Sequence, residues 1–322
     1  MAEPAPAAAQ TAPTPAPAAS RSQAAAQAAM KPAKKPAIRM WDVEVVEVAQ
    51  ETHDTVTLYL AKVEDDGEPW EYKAGQFCTV RPHEFPALAQ MVTYFEEVKG
   101  KREPARAYSL ATAPHEPYVG ITIKEEHYEP GETKYPPLLS PFLVYSTPVG
   151  ERFQIQGFGG PYVWPDDLED RTDQVVHLVS GSGSVPNFGL VKDALHRGLQ
   201  VRHTWIYGNK TWDDVIFRDA LAEIARRHPD RLEILHCITR EDDPTVHGPT
   251  CRKGRVSRAH LEELVPDLSR AEFYVCGAGI TKWDRLRAKE RGTEPAPRFL
   301  ESTLAILEEL GVEPDRIHKE SW

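Results

Sequence analysis

From Trp41 onward, hydrophobic positions alternate with polar ones in short runs. Val43-Glu-Val45-Val46-Glu-Val48 and Thr55-Val-Thr57-Leu-Tyr59-Leu60 repeat with period two, the spacing that buries one face of a β-strand. Similar runs recur at Gln76-Phe-Cys-Thr-Val80, Gly120-Ile-Thr-Ile-Lys124 and Arg152-Phe-Gln-Ile-Gln156, each closed by polar, Gly or Pro residues. Six or so short strands with no convincing long helix between them predict a small antiparallel β-barrel over residues 39–166.

After a Pro/Asp-rich junction near Pro165 the rhythm changes. Apolar runs at 175–179, 201–207, 232–239 and 273–276 alternate with helical periodicity at 188–196, 215–227, 258–264 and 298–310. Repeated strand–helix units predict a parallel α/β sheet over residues 167–322 with helices on both faces. Residues 1–38 show neither period. They are nearly all Ala, Pro, Gln, Ser and Thr and close on a stretch containing Lys31, Lys34 and Lys35. Too little apolar surface is available there to offset the entropy of ordering, so this segment is expected to be a disordered tail. Its scarcity of arginine disfavours a mitochondrial address.

Composition narrows the class. With 49 acidic against 38 basic residues the net charge is −11, against the basic footprint of a nucleic-acid binder. Cys78, Cys237, Cys251 and Cys276 lie far apart without a C-x-x-C pair, so no metal or cluster site is expected. No apolar run reaches the length of a membrane span and no secretory core is seen, which predicts a soluble cytoplasmic protein.

The candidate chemistry begins at Arg106-Ala-Tyr108-Ser109. A guanidinium can hold a diphosphate bidentately, a tyrosine ring can pack on a flat cofactor, and a small hydroxyl can reach its reactive edge. With Leu110-Ala-Thr-Ala-Pro114 behind it and Tyr72-Lys-Ala-Gly75-Gln76-Phe77 ahead, this stretch resembles the flavin motif of the ferredoxin–NADP reductase superfamily. The resemblance implies an FAD-binding barrel followed by an NAD(P)-binding domain. Within it, Lys124 and Tyr128 stand where a tyrosine would cover the FAD adenine. Ser140 opens the turn expected to cradle the pyrophosphate, although Pro141 removes one donor there.

In the second half, Gly181-Ser-Gly183-Ser-Val-Pro186 follows a strand and opens a helix. The two glycines are expected to let the backbone approach a pyrophosphate, with Pro186 fixing the first helical turn. Thr239-Arg240 resembles the family element that holds the NADP 2′-phosphate, and Arg255 adds a cation. Phe273-Tyr-Val-Cys276-Gly277 is similar to the strand whose cysteine faces the nicotinamide. The terminal Glu320-Ser-Trp322 resembles the plant-type ending, in which an aromatic covers the flavin and a Glu lies beside the serine.

The resemblance implies an oxidoreductase passing electrons from NADPH, with NADH the alternative donor, through FAD. Ser109, Cys276, Glu320 and Trp322 would surround the reacting atoms. Lacking a cluster-binding cysteine set, the chain is expected to deliver electrons to a separate ferredoxin or oxygenase iron–sulfur protein. The cations Lys99, Lys101, Arg102, Lys282, Arg285, Arg287, Lys289 and Arg291, and the polar segment 84–104, are candidates for meeting that partner. The rival readings are an NADH-dependent oxygenase reductase subunit, a free-standing flavin or quinone reductase, and a non-enzymatic flavin-binding subunit.

Overall fold

A computed structural model describes residue 1 and residues 39–64, 67–130 and 133–321. The expected tail, apart from Met1, and Trp322 lie outside the described residues. A compact unit begins at Arg39, where the alternating pattern starts.

Its first half is a six-stranded antiparallel sheet. β1 (Met40–Thr52), β2 (Thr55–Lys62), β3 (Phe77–Val80), β4 (Arg106–Ser109), β5 (Val119–Lys124) and β6 (Arg152–Gly159) lie in the order β4-β3-β6-β1-β2-β5. Period two turns Val43, Val45, Val56, Leu58, Leu60, Ile121 and Ile123 into one core in which none is more than 1% exposed. The two edges approach at the bridge Leu110↔Ile121, curling the sheet toward a barrel.

The expectation of no long helix in this half is corrected. α1 (Ala89–Lys99) intervenes between β3 and β4 and stops at Gly100, whose φ of 64° suits a glycine cap. Only Val92 and Phe95 of α1 are buried, while Met91, Tyr94 and Val98 face outward. Met91, Val92, Tyr94, Phe95 and Val98 do recur at helical spacing, but only part of that stripe faces the core. A shorter helix, α2 (Leu139–Tyr145), carries Ser140 in its first turn.

The second half is a six-stranded parallel sheet of β7 (Gln174–Ser180), β8 (Arg202–Asn209), β9 (Leu232–Ile238), β10 (Cys251–Lys253), β11 (Glu272–Cys276) and β12 (Ile317–Glu320). The connecting helices are α3 (Ser184–Arg197), α4 (Arg218–Arg227), α5 (Arg258–Leu264), α6 (Lys282–Glu290) and α7 (Phe299–Glu309). Helix α4 starts later than its periodicity suggests, because Phe217 takes a left-handed φ of 59° immediately before it.

The strand order is β10-β9-β8-β7-β11-β12. The chain winds outward from β7 to β10, then crosses back to lay β11 on the other side of β7. Such a reversal opens a crevice at the carboxyl ends of the two central strands, where open α/β sheets take their ligands. β7 ends there in Gly181-Ser-Gly183 and β11 ends there in Cys276.

Candidate functional site

A cleft of about 510 Å³ lies where the two sheets meet, lined by Arg106 to Ser109, Thr122, Lys124 to Glu126, Leu138 to Ser140, Ser182, Val185, Glu320 and Ser321. Its first wall is β4. This strand is the sheet edge and pairs only with β3, so its outer backbone groups carry no ladder partner. Alternation along β4 sends Arg106 and Tyr108 to one side and Ser109 to the other. Arg106 is exposed and has no carboxylate partner among the described residues. The Tyr108 hydroxyl is pushed above its ordinary range by burial, with the nearby Glu126 adding to it.

The opposite wall is built by two neighbouring parallel strands. β11 and β12 pair in register, so Cys276 stands beside Glu320. Glu320 lines the same cleft as Ser109 of the other sheet, and burial raises its pKa to about 7, with the nearby Ser109 hydroxyl opposing that rise. Its Oε2 is buried and without a hydrogen-bond partner. Burial, helped by Glu320, pushes the Cys276 thiol well above its usual value, so Cys276 is a neutral buried thiol beside Glu320 rather than a thiolate. Ser109, Cys276 and Glu320, spread over 212 residues of sequence, therefore meet at one corner.

Other expected site residues fare differently. The Lys124 Nζ lies 2.6 Å from both carboxylate oxygens of Asp54, which also accepts from Thr52 and Thr55. Burial would raise the Asp54 pKa, but these donors outweigh it and hold the group at about 2. Lys124 thus borders the cleft with its charge already matched by Asp54. Ser140 is buried, and its Oγ accepts from the Glu126 N–H at 3.2 Å, closing the floor of the cleft. Tyr128 does not line the cleft and is 48% exposed.

The glycine turn divides its labour. Gly181 has a φ of +50°, and a Cβ there would meet nothing within 4 Å, which leaves its face open to a ligand. A Cβ on Gly183 would come within 2.1 Å of the Cys276 carbonyl oxygen. Gly183 is therefore required for packing against β11, a demand for glycine that does not depend on a ligand. Pro186 sits in the first turn of α3, where its missing N–H leaves no helical bond unmade.

Farther along the strand ends, Thr239 donates its hydroxyl to the Asn209 carbonyl at 3.1 Å, so the expected donation to a 2′-phosphate is already committed within the chain. Arg240 and Arg255 are exposed. The Gly254 N–H donates to the Ile238 carbonyl at 2.8 Å and brings the start of the Arg255 segment to the end of β9.

An FAD fits these walls. The partnerless Arg106 offers a cation for its diphosphate, the β4 edge offers backbone groups for a flat ring, and the orphaned Glu320 oxygen points to a polar neighbour that the protein itself does not supply.

Comparison with known proteins bears on this geometry. Residues 178–282 match the family model of the oxidoreductase NAD-binding domain. The chain is 29% identical over 247 residues to the ferredoxin reductase component of 3-ketosteroid-9-alpha-monooxygenase from Mycolicibacterium smegmatis, covering 74% of this chain and 58% of that protein. It is 24% identical to the glycine betaine monooxygenase reductase subunit of Chromohalobacter salexigens, over 87% of this chain and 64% of that one. The chain thus spans less than two thirds of the length of these relatives. Among solved structures, the flavohem-like FAD/NAD-binding domain of nitric oxide dioxygenase from Vibrio cholerae superposes with a TM-score of 0.64 at 19% identity, covering 88% of this chain and 98% of that one. The ferredoxin reductase in carbazole 1,9a-dioxygenase gives 0.62 at 22% identity, covering 89% and 70%.

Fold and cleft thus define a two-sheet dinucleotide-binding architecture with a nicotinamide-type second sheet. Residues 178–282 match an oxidoreductase NAD-binding domain, and the chain as a whole is similar to ferredoxin reductase components and shares the fold of FAD/NAD-binding reductase structures. Among the described residues no helix is long and apolar enough to cross a membrane.

Proposed function

We propose that this chain is a flavoprotein reductase that takes electrons from NADPH and delivers them through FAD to a separate iron–sulfur protein of an oxygenase system. In this reading residues 39–166 hold FAD and residues 167–322 hold the nicotinamide dinucleotide. The observation that carries it is the corner where Ser109 of the first sheet and Glu320 of the second line one cleft, with Cys276 in register beside Glu320. FAD, when bound, supplies the acceptor for a hydride and can release its two electrons singly to a one-electron carrier.

The protein's part is placement and electrostatics. Arg106 holds the diphosphate, the β4 edge and Tyr108 seat the ring, and Gly181 leaves room for the second dinucleotide. Ser109 and the neutral Cys276 line the approach without blocking it. Arg240 and Arg255 supply positive charge near the strand ends, which favours NADPH over NADH, while the committed Thr239 hydroxyl removes one of the expected phosphate donors.

Anaerobic addition of NADPH to the FAD-loaded protein should bleach its visible absorbance faster than NADH does. Faster bleaching by NADH reverses the donor, and a protein that cannot be loaded with FAD ends the reading altogether.

The partner reading gains from α6. Of the eight cations noted in the sequence, Lys99 is held by Glu103 at 2.5 Å and Arg287 by Asp284 at 2.8 Å. Lys282, Arg285, Lys289 and Arg291 are exposed on or beside α6 without a carboxylate partner among the described residues. α6 begins six residues after Cys276, so this positive face flanks the reactive corner despite the chain's charge of −11. Reversing Lys282, Arg285 and Lys289 to Glu should slow reduction of an acidic iron–sulfur protein by roughly tenfold at low salt and flatten its salt dependence, with reduction of ferricyanide by NADPH unchanged.

A further inference from the structure

Beneath the glycine turn runs a chain of buried polar side chains that the proposed chemistry does not use. His177 on β7, His203 on β8, Asn187 on α3 and Tyr162 before β7 are all at most 2% exposed. His177 Nδ1 is 2.7 Å from Asn187 Oδ1, and His177 Nε2 is 3.0 Å from His203 Nδ1. Asn187 Nδ2 donates to the Gly183 carbonyl at 3.1 Å and to the Tyr162 hydroxyl at 3.0 Å.

The bonds have one consistent direction. Burial, with little to offset it, keeps both imidazoles neutral, so each carries one N–H and one bare nitrogen. Asn187 Oδ1 can only accept, which puts the His177 proton on Nδ1 and leaves its Nε2 to accept from the His203 Nδ1–H. The bare end of the chain is then His203 Nε2, the atom that is buried without a partner. His177 thereby fixes which way round the Asn187 amide sits, and the amide must aim its NH₂ at Gly183.

Gly183 is consequently pinned from two directions. Its Cα lies against the Cys276 carbonyl, and its own carbonyl is held by Asn187. The Gly181 carbonyl is held separately, accepting from the Tyr207 hydroxyl at 2.9 Å and Ser184 Oγ at 3.0 Å. Ser182, between the two glycines, lines the cleft. A displaced Gly183 carbonyl would therefore move the part of the turn that faces the ligand without touching any cofactor-contacting side chain.

We propose that Asn187 is a positioning residue for the nicotinamide dinucleotide, holding the Gly181–Gly183 turn in register with Cys276, and that His177 enforces the orientation of its amide. This rests on the reductase reading above. Asn187→Asp is close in shape but presents an acceptor to the Gly183 carbonyl. His177→Leu removes the donor that orients the amide and leaves Asn187 itself in place.

The test uses the full-length FAD-loaded protein, with NADPH as donor and ferricyanide as acceptor, and compares KM with kcat. Both variants should raise the KM for NADPH about tenfold and change kcat less than threefold, with flavin content unchanged. The double variant should be no worse than the worse single one, because both act through one amide. A KM within twofold of the parent in either folded, flavin-loaded variant overturns the proposal. So does a parallel loss of flavin and kcat, which would mark the network as support for the fold alone. If Asn187→Asp does not fold, His177→Leu and Tyr162→Phe decide between the same two outcomes. Failure of the parent protein to reduce ferricyanide would strike the reductase reading instead.

Discussion

Arg106→Ala should emerge from purification largely colourless, with its affinity for added FAD lowered by roughly a hundredfold. A charge-assisted, two-pronged contact with a diphosphate is worth about 3 kcal/mol, since each hydrogen bond to an ionised group contributes about 1.5 kcal/mol or more. The prediction is sharp because Arg106 does so little else. It is exposed at the start of an edge strand and makes no ion pair among the described residues. Its removal should therefore leave the melting temperature of the FAD-free protein unchanged. Arg106→Lys keeps the charge but loses the planar fork and should recover only part of the affinity. Titration of each apoprotein with FAD, followed by flavin fluorescence, measures all three. Parent-like affinity in Arg106→Ala would remove Arg106 from the site.

The same residue shows how far the sequence could be read. Arg106, Tyr108 and Ser109 are adjacent, so one strand delivers them together and a local motif suffices to find them. Glu320 was legible only because three terminal residues resemble a known ending; nothing in its own neighbourhood marks Ile317 to Glu320 as a strand. An edge strand is buried on one side at most, and here it reads Ile-His-Lys-Glu. The neutralisation of Lys124 depends on Asp54, 70 residues away, across the β2–β5 ladder. Gly183 was noticed for its need of no side chain, but its packing against the Cys276 carbonyl was not legible, because only the sheet order reveals that β11 lies against β7. Asn187 carried no signal at all: its partners Tyr162 and His177 are 25 and 10 residues away, beyond the reach of a local motif.

Glu320 supports the second large prediction, which couples turnover to stability. Burial raises its pKa to about 7, so near neutral pH the carboxyl is close to half protonated. In the proposed reaction the ionised form would place a negative charge beside the corner that receives a hydride, whose arrival itself brings negative charge. Turnover by the parent should therefore fall above about pH 7, approaching tenfold per pH unit if only the protonated form is active. Glu320→Gln keeps the shape and removes the titration, so the break near pH 7 should vanish. Glu320→Ala, which also removes the carboxyl from the wall facing Ser109, should lower kcat by roughly a hundredfold, in the range typical of a positioned polar group at a reacting centre.

Stability falls with rising pH as well, over a lower range. The folded carboxyl binds its proton more tightly than the unfolded one, whose pKa is about 4.5. As pH rises from about 4.5 to about 7, the unfolded chain releases that proton first and the folded state loses stability, by about 3 kcal/mol in total. At pH 8.5 the Glu320→Gln apoprotein should consequently melt at a higher temperature than the parent, and at pH 4 the two should coincide. A variant that keeps the pH break, or gains no stability at pH 8.5, would show that Glu320 does not carry the titration. If both shifts appear, the strain of holding a carboxyl at this corner is a cost the fold bears for the site it forms with Ser109 and Cys276.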